Sequence, residues 1–157
     1  MWWLSKIILN NFRPYRGRKT IEFSTDKDRR ITIILGKNGT GKTTLLNAIT
    51  WCLYGEEYHL QAQEQILPIL NTEIKDDLAE VSVELHFKHA EHGSIFKIER
   101  KQKFERTDNG MEKISNDELG ILYKKPSSYD WKREGNPNYF IQTLLPKELH
   151  DFYFFDG

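Results

Sequence analysis

The sequence predicts an α/β fold of the P-loop NTPase type, with an antiparallel β portion beside the phosphate-binding helix. Three observations predict it. Residues 36 to 43 read Gly-Lys-Asn-Gly-Thr-Gly-Lys-Thr, the spacing G-x-x-x-x-G-K-[ST] of a phosphate-binding loop. A β-branched apolar run, Ile31-Thr32-Ile33-Ile34-Leu35, leads into it, and an apolar stripe at Leu45, Ile49, Cys52 and Leu53 follows it at helical spacing. Further along, Val81, Val83, Leu85 and Phe87 alternate with Ser82, Glu84 and His86, the period of a half-buried strand.

The elements follow in order. Leu4 to Phe12 reads as a first strand, Arg13 to Gly17 as a turn and Thr20 to Phe23 as a second strand. Thr25 to Arg30 is a charged turn, and Ile31 to Leu35 is the buried strand that a P-loop requires upstream. Lys42 to Tyr54 is the helix, with Gly55 just past its end where a C-terminal glycine belongs. A short helix is expected before Pro68, a strand over 81–87, and a hairpin partner over Ile95 to Phe104 across a turn containing Gly93. Thr107-Asp108-Asn109-Gly110 marks another turn, Ile121 to Tyr123 a short edge strand, and Pro137 to Leu145 a helix stopped by Pro146. Phe152 to Phe155 reads as a very apolar strand; with the sequence stopping just after it, the 157 residues read as a fragment of a longer chain.

Bulk composition sets limits. The chain carries 23 basic and 23 acidic side chains, so any nucleic-acid contact must come from a local patch. One cysteine excludes an internal disulfide, and Cys52 falls on the helix stripe as a small core residue. No apolar run approaches the length of a membrane span, and the basic N-terminus lacks the core of a secretory signal. A soluble, cytoplasmic protein is expected.

The phosphate loop defines the candidate site. Glycines let backbone N–H groups converge on phosphate oxygens, and the helix N-terminus adds partial positive charge. The cofactor is ATP with Mg²⁺, held by Gly36, Asn38, Gly39, Thr40, Gly41, Lys42, Thr43 and Thr44. Lys42 reaches the β- and γ-phosphates, and the Thr43 hydroxyl holds Mg²⁺. Phe152-Tyr153-Phe154-Phe155-Asp156 has the form of a Walker B strand, so Asp156 is a candidate Mg²⁺ and catalytic carboxylate. Two other readings stay open: a residue of another active-site loop, or a strand-ending Asp-Gly turn. Gly157 stands where ABC-type ATPases carry a catalytic Glu, which counts against Walker B.

Two further constellations have bland readings. His86, His89 and His92 are spaced like metal ligands, yet nothing fixes them on one face, and solvated turn histidines are expected. Lys97, Arg100, Lys101, Lys103 and Arg106 form a basic stretch offset by Glu99 and Glu105, read as scattered surface charge rather than a DNA-facing strip. Trp2 and Trp3 are expected to pack.

Together the motifs resemble a family. Asn11-Phe12-Arg13 after an apolar strand, then Gly36 through Ile49, is similar to the opening of SMC-like ABC ATPases. Asn38 and the ending Trp51-Cys52-Leu53-Tyr54-Gly55 sharpen the match to the double-strand-break-repair branch. Leu145-Pro146 followed by Phe152 to Gly157 looks most like the DndD ATPases of bacterial DNA phosphorothioation. The resemblance implies that 1–157 is the N-terminal lobe of an ABC-type ATPase head. A coiled coil and a C-terminal lobe with an S-G-G signature and Walker B Asp-Glu would follow. It implies that two heads sandwich two ATP molecules as a homodimer. DNA, through the full assembly, and modification or nuclease subunits are its implied partners; no membrane is. Arg13 would reach the phosphates or the Mg²⁺ neighbourhood, and Asp156 would sit at the Q-loop position, with Gln142 as a weaker candidate there. Against this stand a transporter-type nucleotide-binding domain, whose S-G-G motif is missing before Phe152, and a complete small nucleotide switch or phosphotransferase using Asp156 as Walker B.

Overall fold

A computed structural model describes residues 1–29, 31–37, 39–60 and 68–149. Within them, seven strands form one antiparallel sheet. They are β1 (Trp2–Phe12), β2 (Tyr15–Glu22), β3 (Leu78–His89), β4 (Ile95–Thr107), β5 (Gly110–Lys113), β6 (Glu118–Lys124) and β7 (Lys132–Arg133). The spatial order is β2-β1-β3-β4-β6-β7, and β5 pairs with the distal end of β4 beyond β6. Two helices complete the described fold, α1 (Lys42–Tyr54) and α2 (Pro137–Leu144), followed by a 3₁₀ turn at Lys147–Leu149.

Register explains the core. Directly paired residues share a sheet face. Pairing Ile7 with Leu85, Leu85 with Ile98 and Ile98 with Ile121 makes one row across four strands. No member of that row is more than 1% exposed. A parallel row joins Leu9, Val83 and Arg100. Helix α1 lies over β3 and β4 on this face and buries Leu45, Ala48, Ile49, Cys52 and Leu53. Burying each such aliphatic side chain contributes roughly 1.5–3 kcal/mol, so this layer is the main source of stability. Gly55 ends the helix at φ 78°, donating its N–H to Trp51 O at 2.8 Å.

Arg100 closes the same end. It is 7% exposed, sits on the core face of β4, and donates from Nε to Cys52 O at 3.0 Å and from Nη2 to Leu53 O at 3.3 Å. Its Nη1 forms an ion pair with Asp117. A cation on the last-turn carbonyls satisfies acceptors that the helix leaves open and complements its dipole. The rest of the basic stretch is also paired: Lys97 with Glu84, Lys101 with Glu99, Lys103 with Glu118 and Arg106 with Asp77. Arg100 thus departs from the expected surface role, and the strip offers no unbalanced positive face.

Several expectations change. The strand over 31–35 does not form: these residues carry no strand pairing, and Ile31, Ile33 and Leu35 are 81%, 75% and 89% exposed. The β-branched run sets an extended preference, but a strand exists only with a partner, and no described strand pairs with it. The turn expected over 13–17 shrinks to two residues, because Asn11 and Arg13 both adopt left-handed φ, 53° and 48°, and the Asn11 side chain accepts from Gly17 N at 2.9 Å. Strand β6 is interior, covered by the two-residue β7, rather than an edge. Strands β5 and β7 went unanticipated. The helix expected before Pro68 and the strand over 152–155 lie outside the described residues.

Candidate nucleotide-binding site

The phosphate loop joins the exposed 31–35 segment to α1. Gly39 and Gly41 have φ of 78° and 96°, the left-handed region that glycine adopts without strain. A Cβ at Gly41 would also lie 3.0 Å from the Tyr15 hydroxyl. That hydroxyl donates to Gly41 O at 2.9 Å, so the tip of the β1–β2 hairpin supports the loop from beneath. Burial raises the Tyr15 pKa and keeps this donor protonated. Gly36 faces the same demand: its Cβ would meet Thr40 Oγ1 at 2.5 Å. Thr40 in turn donates from Oγ1 to Lys37 O at 2.7 Å, closing the loop on itself.

Lys42 spans the mouth. Its Nζ donates to Gly36 O at 2.7 Å and to Lys37 O at 2.9 Å, while the side chain stays exposed. The N-cap, Gly41, provides no side-chain acceptor, and no acidic residue stands in the first turn of α1. The first-turn N–H groups therefore have no side-chain cap, which leaves a concentration of donors suited to an anion. Thr43 and Thr44 are half-exposed in that turn. The described residues thus bring together Gly36, Gly39, Thr40, Gly41, Lys42, Thr43 and Thr44, while Asn38 and Asp156 lie outside them. Of the two expected Mg²⁺ ligands, only Thr43 is among the described residues.

Arg13 stands beside the loop in a particular setting. Its guanidinium pairs bidentately with Glu57, Nε to Oε1 at 2.5 Å and Nη2 to Oε2 at 2.7 Å, with side chains only 8% and 7% exposed. Its left-handed backbone is clamped by the 69–71 segment: Arg13 N donates to Ile69 O at 2.7 Å, and Asn71 Nδ2 donates to Arg13 O. Glu57 reaches this position because the chain after α1 folds back along the helix, with His59 N donating to the buried Asn47 Oδ1 at 2.8 Å. A cleft of about 430 Å³ opens here, lined by Arg13, Pro14, Gly39, Thr44, Leu60, Pro68 and residues 70–73. Glu57, Asn71 and Glu73 were not found by sequence reasoning. Only the fold-back of the chain brings them to the site, and no local pattern announces it.

Gln142 falls elsewhere. It lies on α2 beside Leu53 and Tyr54, at the C-terminal end of α1, and donates to Glu148 Oε2 at 2.7 Å. The length of α1, about 18 Å for twelve steps of helical rise, separates it from the loop. Only His92 is a solvated turn histidine: His89, the last residue of β3, stacks on it, and His86, within β3 and half-buried, pairs with Glu84. That contact, followed by Lys97, holds the Glu84 carboxyl below its usual range. Among the described residues, no group of three or more His, Cys, Asp or Glu side chains is placed to hold a metal ion. None of their helices is long and apolar enough to cross a membrane.

Comparison with known proteins bears on the whole arrangement. A family model described as an AAA domain matches residues 6–143. The C component of the SbcCD nuclease of Staphylococcus saprophyticus is 28% identical over 149 residues, 94% of this chain and 14% of that protein. The component of the same name from Staphylococcus haemolyticus is 30% identical over 154 residues, again 94% and 14%. Arcadin-4 of Pyrobaculum calidifontis is 30% identical over 101 residues, 64% of this chain and 11% of its own length. The chain therefore spans about a seventh of the longer-matching relatives.

Proposed function

The chain belongs to the AAA domain family, and from that premise we propose that it is the Mg-ATP-binding N-terminal lobe of an SMC-like ATPase head serving DNA repair, restriction or modification. The observation that carries the reading is the loop itself, with the Lys42 ammonium held across its mouth at an N-terminus without a side-chain cap. On binding, the β- and γ-phosphates replace the carbonyls of Gly36 and Lys37 as partners of Lys42, and first-turn N–H groups take the remaining phosphate oxygens. Mg²⁺, when bound, neutralises charge between those phosphates; Thr43 is the residue that would hold it here. Arg13 borders the cleft. To bond a phosphate it must leave Glu57, and stripping a buried carboxylate of its partner costs about 3–5 kcal/mol, so its place in this reading is in the cleft wall unless the nucleotide repays that cost.

In the full protein, ATP joins two heads and hydrolysis releases them, the work coming from different ATP affinities of the joined and separated states. Similarity to the C components of SbcCD nucleases supports a nuclease as the assembly served, with a nuclease partner. The residue pattern around Leu145-Pro146 and Phe152 to Gly157 supports a DNA-phosphorothioation ATPase of the DndD kind as the finer assignment. Calorimetric titration of Mg-ATP into the 157-residue chain tests the nucleotide reading. Saturable binding that vanishes in Lys42→Ala, with little turnover by the isolated chain, is expected; equal affinity in the variant refutes it.

A further inference from the structure

We propose that single-stranded DNA docks on the outer face of the sheet at its β6–β7 end, where Tyr129 and Trp131 stack on unpaired bases and Lys88, Lys124 and Arg133 meet the phosphates. This goes beyond the nucleotide reading and concerns a different site; only the choice of DNA as the nucleic acid rests on the assembly proposed above.

Register gathers the cations. Ile98 and Ile121 face α1 across the core, so their neighbours along β4 and β6 face away from it. On that outer face Lys97 pairs with Leu122 and Leu122 with Arg133, making one row. Two residues along, Lys88 pairs with Ile95 and Ile95 with Lys124, making the next. Strand rise sets the rows about 7 Å apart. Lys97 is bound to Glu84, but among the described residues Lys88, Lys124 and Arg133 enter no ion pair. Elsewhere on the face the charges are matched, Lys101 by Glu99 and Lys103 by Glu118.

The rings come from the β6–β7 loop. Tyr129 is 94% and Trp131 41% exposed, and neither joins the core. Lys124 Nζ lies 5.8 Å from the centre of the Tyr129 ring, and Lys97 Nζ lies 5.1 Å from that of Trp131. Each ring therefore borders one of the two rows. Lys97, Leu122 and Arg133 also line a groove of about 250 Å³, together with Glu99 and Glu118, which their lysines hold. Between Lys124 and Arg133 the sequence has one acid, Asp130, so the loop keeps a positive balance in a chain with none overall. Exposed rings beside unmatched cations fit a polyanion that carries flat faces. A single strand offers both, because each base has a free face for stacking. A duplex keeps its bases stacked on one another and offers these side chains its phosphates alone, and an acidic peptide offers charge alone.

Fluorescence anisotropy of a labelled thymidine oligonucleotide, without ATP, tests this on the 157-residue chain. The probe is about 16 nucleotides long, the upper end of one single-strand site. A duplex of equal length, a uridine oligonucleotide and polyglutamate are the comparisons. Wild type should bind the strand at about 1–100 μM, with a log–log salt slope of about −2 for three phosphate contacts. Tyr129→Ala and Trp131→Ala should each weaken the strand by about tenfold and the duplex by less than about twofold, and Trp131→Phe should restore most of the loss. Lys124→Gln and Arg133→Gln should weaken strand and duplex alike and flatten the slope by about 0.7 each. Unchanged melting temperatures will show that these exposed positions do not disturb the fold. No saturable binding of the strand, equal losses for strand and duplex in the ring variants, or displacement by polyglutamate at equal charge overturns the site. Tighter binding of the uridine strand overturns the choice of DNA. Lys42→Ala should bind the strand like wild type, and a loss there would move the strand to the phosphate loop and overturn this face. Where the strand binds and Mg-ATP does not, only the nucleotide reading falls; where Mg-ATP binds and the strand does not, only this one does.

Discussion

The row Ile7–Leu85–Ile98–Ile121 and the segment Ile31–Leu35 are equally apolar, yet their surroundings are opposite. The first is at most 1% exposed and bonded through four strands, whereas Ile31, Ile33 and Leu35 are at least 75% exposed and pair with no described strand. The phosphate loop hangs between this open segment and the buried helix α1. The difference separates the residues that hold the fold from the loop proposed to bind phosphate. The sheet and α1 hold the fold; the loop is shaped by glycines, by Tyr15 from below and by the Lys42 ammonium across its mouth. Such a division predicts that some substitutions lower stability alone, some lower binding alone, and few do both.

Arg100→Ala should have the largest effect and fall on the sheet side. It strands the last carbonyls of α1 and the Asp117 carboxylate, and should lower unfolding free energy by about 3 kcal/mol in chemical denaturation. Nucleotide affinity of the folded fraction should change little. A variant that unfolds like wild type but binds poorly would break the division.

Gly41→Ala joins the two regions and sharpens the boundary between them. A side chain at φ 96°, with its Cβ 3.0 Å from Tyr15 Oη, should cost about 1–2 kcal/mol of stability. It should also weaken Mg-ATP binding by roughly tenfold, as the loop and helix start shift together. Paired denaturation and binding measurements on Gly41→Ala will show both losses; a change in one alone would place Gly41 wholly in one region.

The smallest effect concerns Cys52. Burial pushes its thiol up to about 12, against an ordinary value near 9. The neutral thiol is favoured in the folded state, so its contribution is complete below about pH 9 and is lost as pH rises from there toward 12. Unfolding followed against pH should show a steeper alkaline decline for wild type than for Cys52→Ala, with no difference in slope at neutral pH. Parallel curves above about pH 9 would remove Cys52 from the core account.

Much of this was legible in the sequence because the signals were local. Helix α1 was read to the residue because a loop motif fixes its start and Gly55 its end. Strand β3 announced itself by alternation, β1 by its apolar run and β4 as the hairpin partner across Gly93, although their ends ran further because pairing extends strands past the apolar residues. What failed to show was whatever depends on a partner distant in sequence. The apolar character of Ile31–Leu35 is local, but its pairing is not. Arg100 reads as one more charge until register places it opposite Val83 beneath the end of α1. Arg13 was pointed to by the family resemblance alone, and its ion pair with Glu57 depends on a fold-back across 44 residues that no pattern encodes.

Thermal unfolding of wild type and Lys42→Ala, each with and without Mg-ATP, tests the central claim most directly. Saturating ligand at about 100 times its dissociation constant adds about 2.7 kcal/mol, which for a chain of this size raises the melting temperature by roughly 5–10 °C. The account predicts that wild type shows this rise, that Lys42→Ala melts at the wild-type temperature without ligand, and that Mg-ATP leaves the variant unmoved. A variant that melts several degrees lower on its own, or that still rises with Mg-ATP, would contradict the separation of fold from phosphate site.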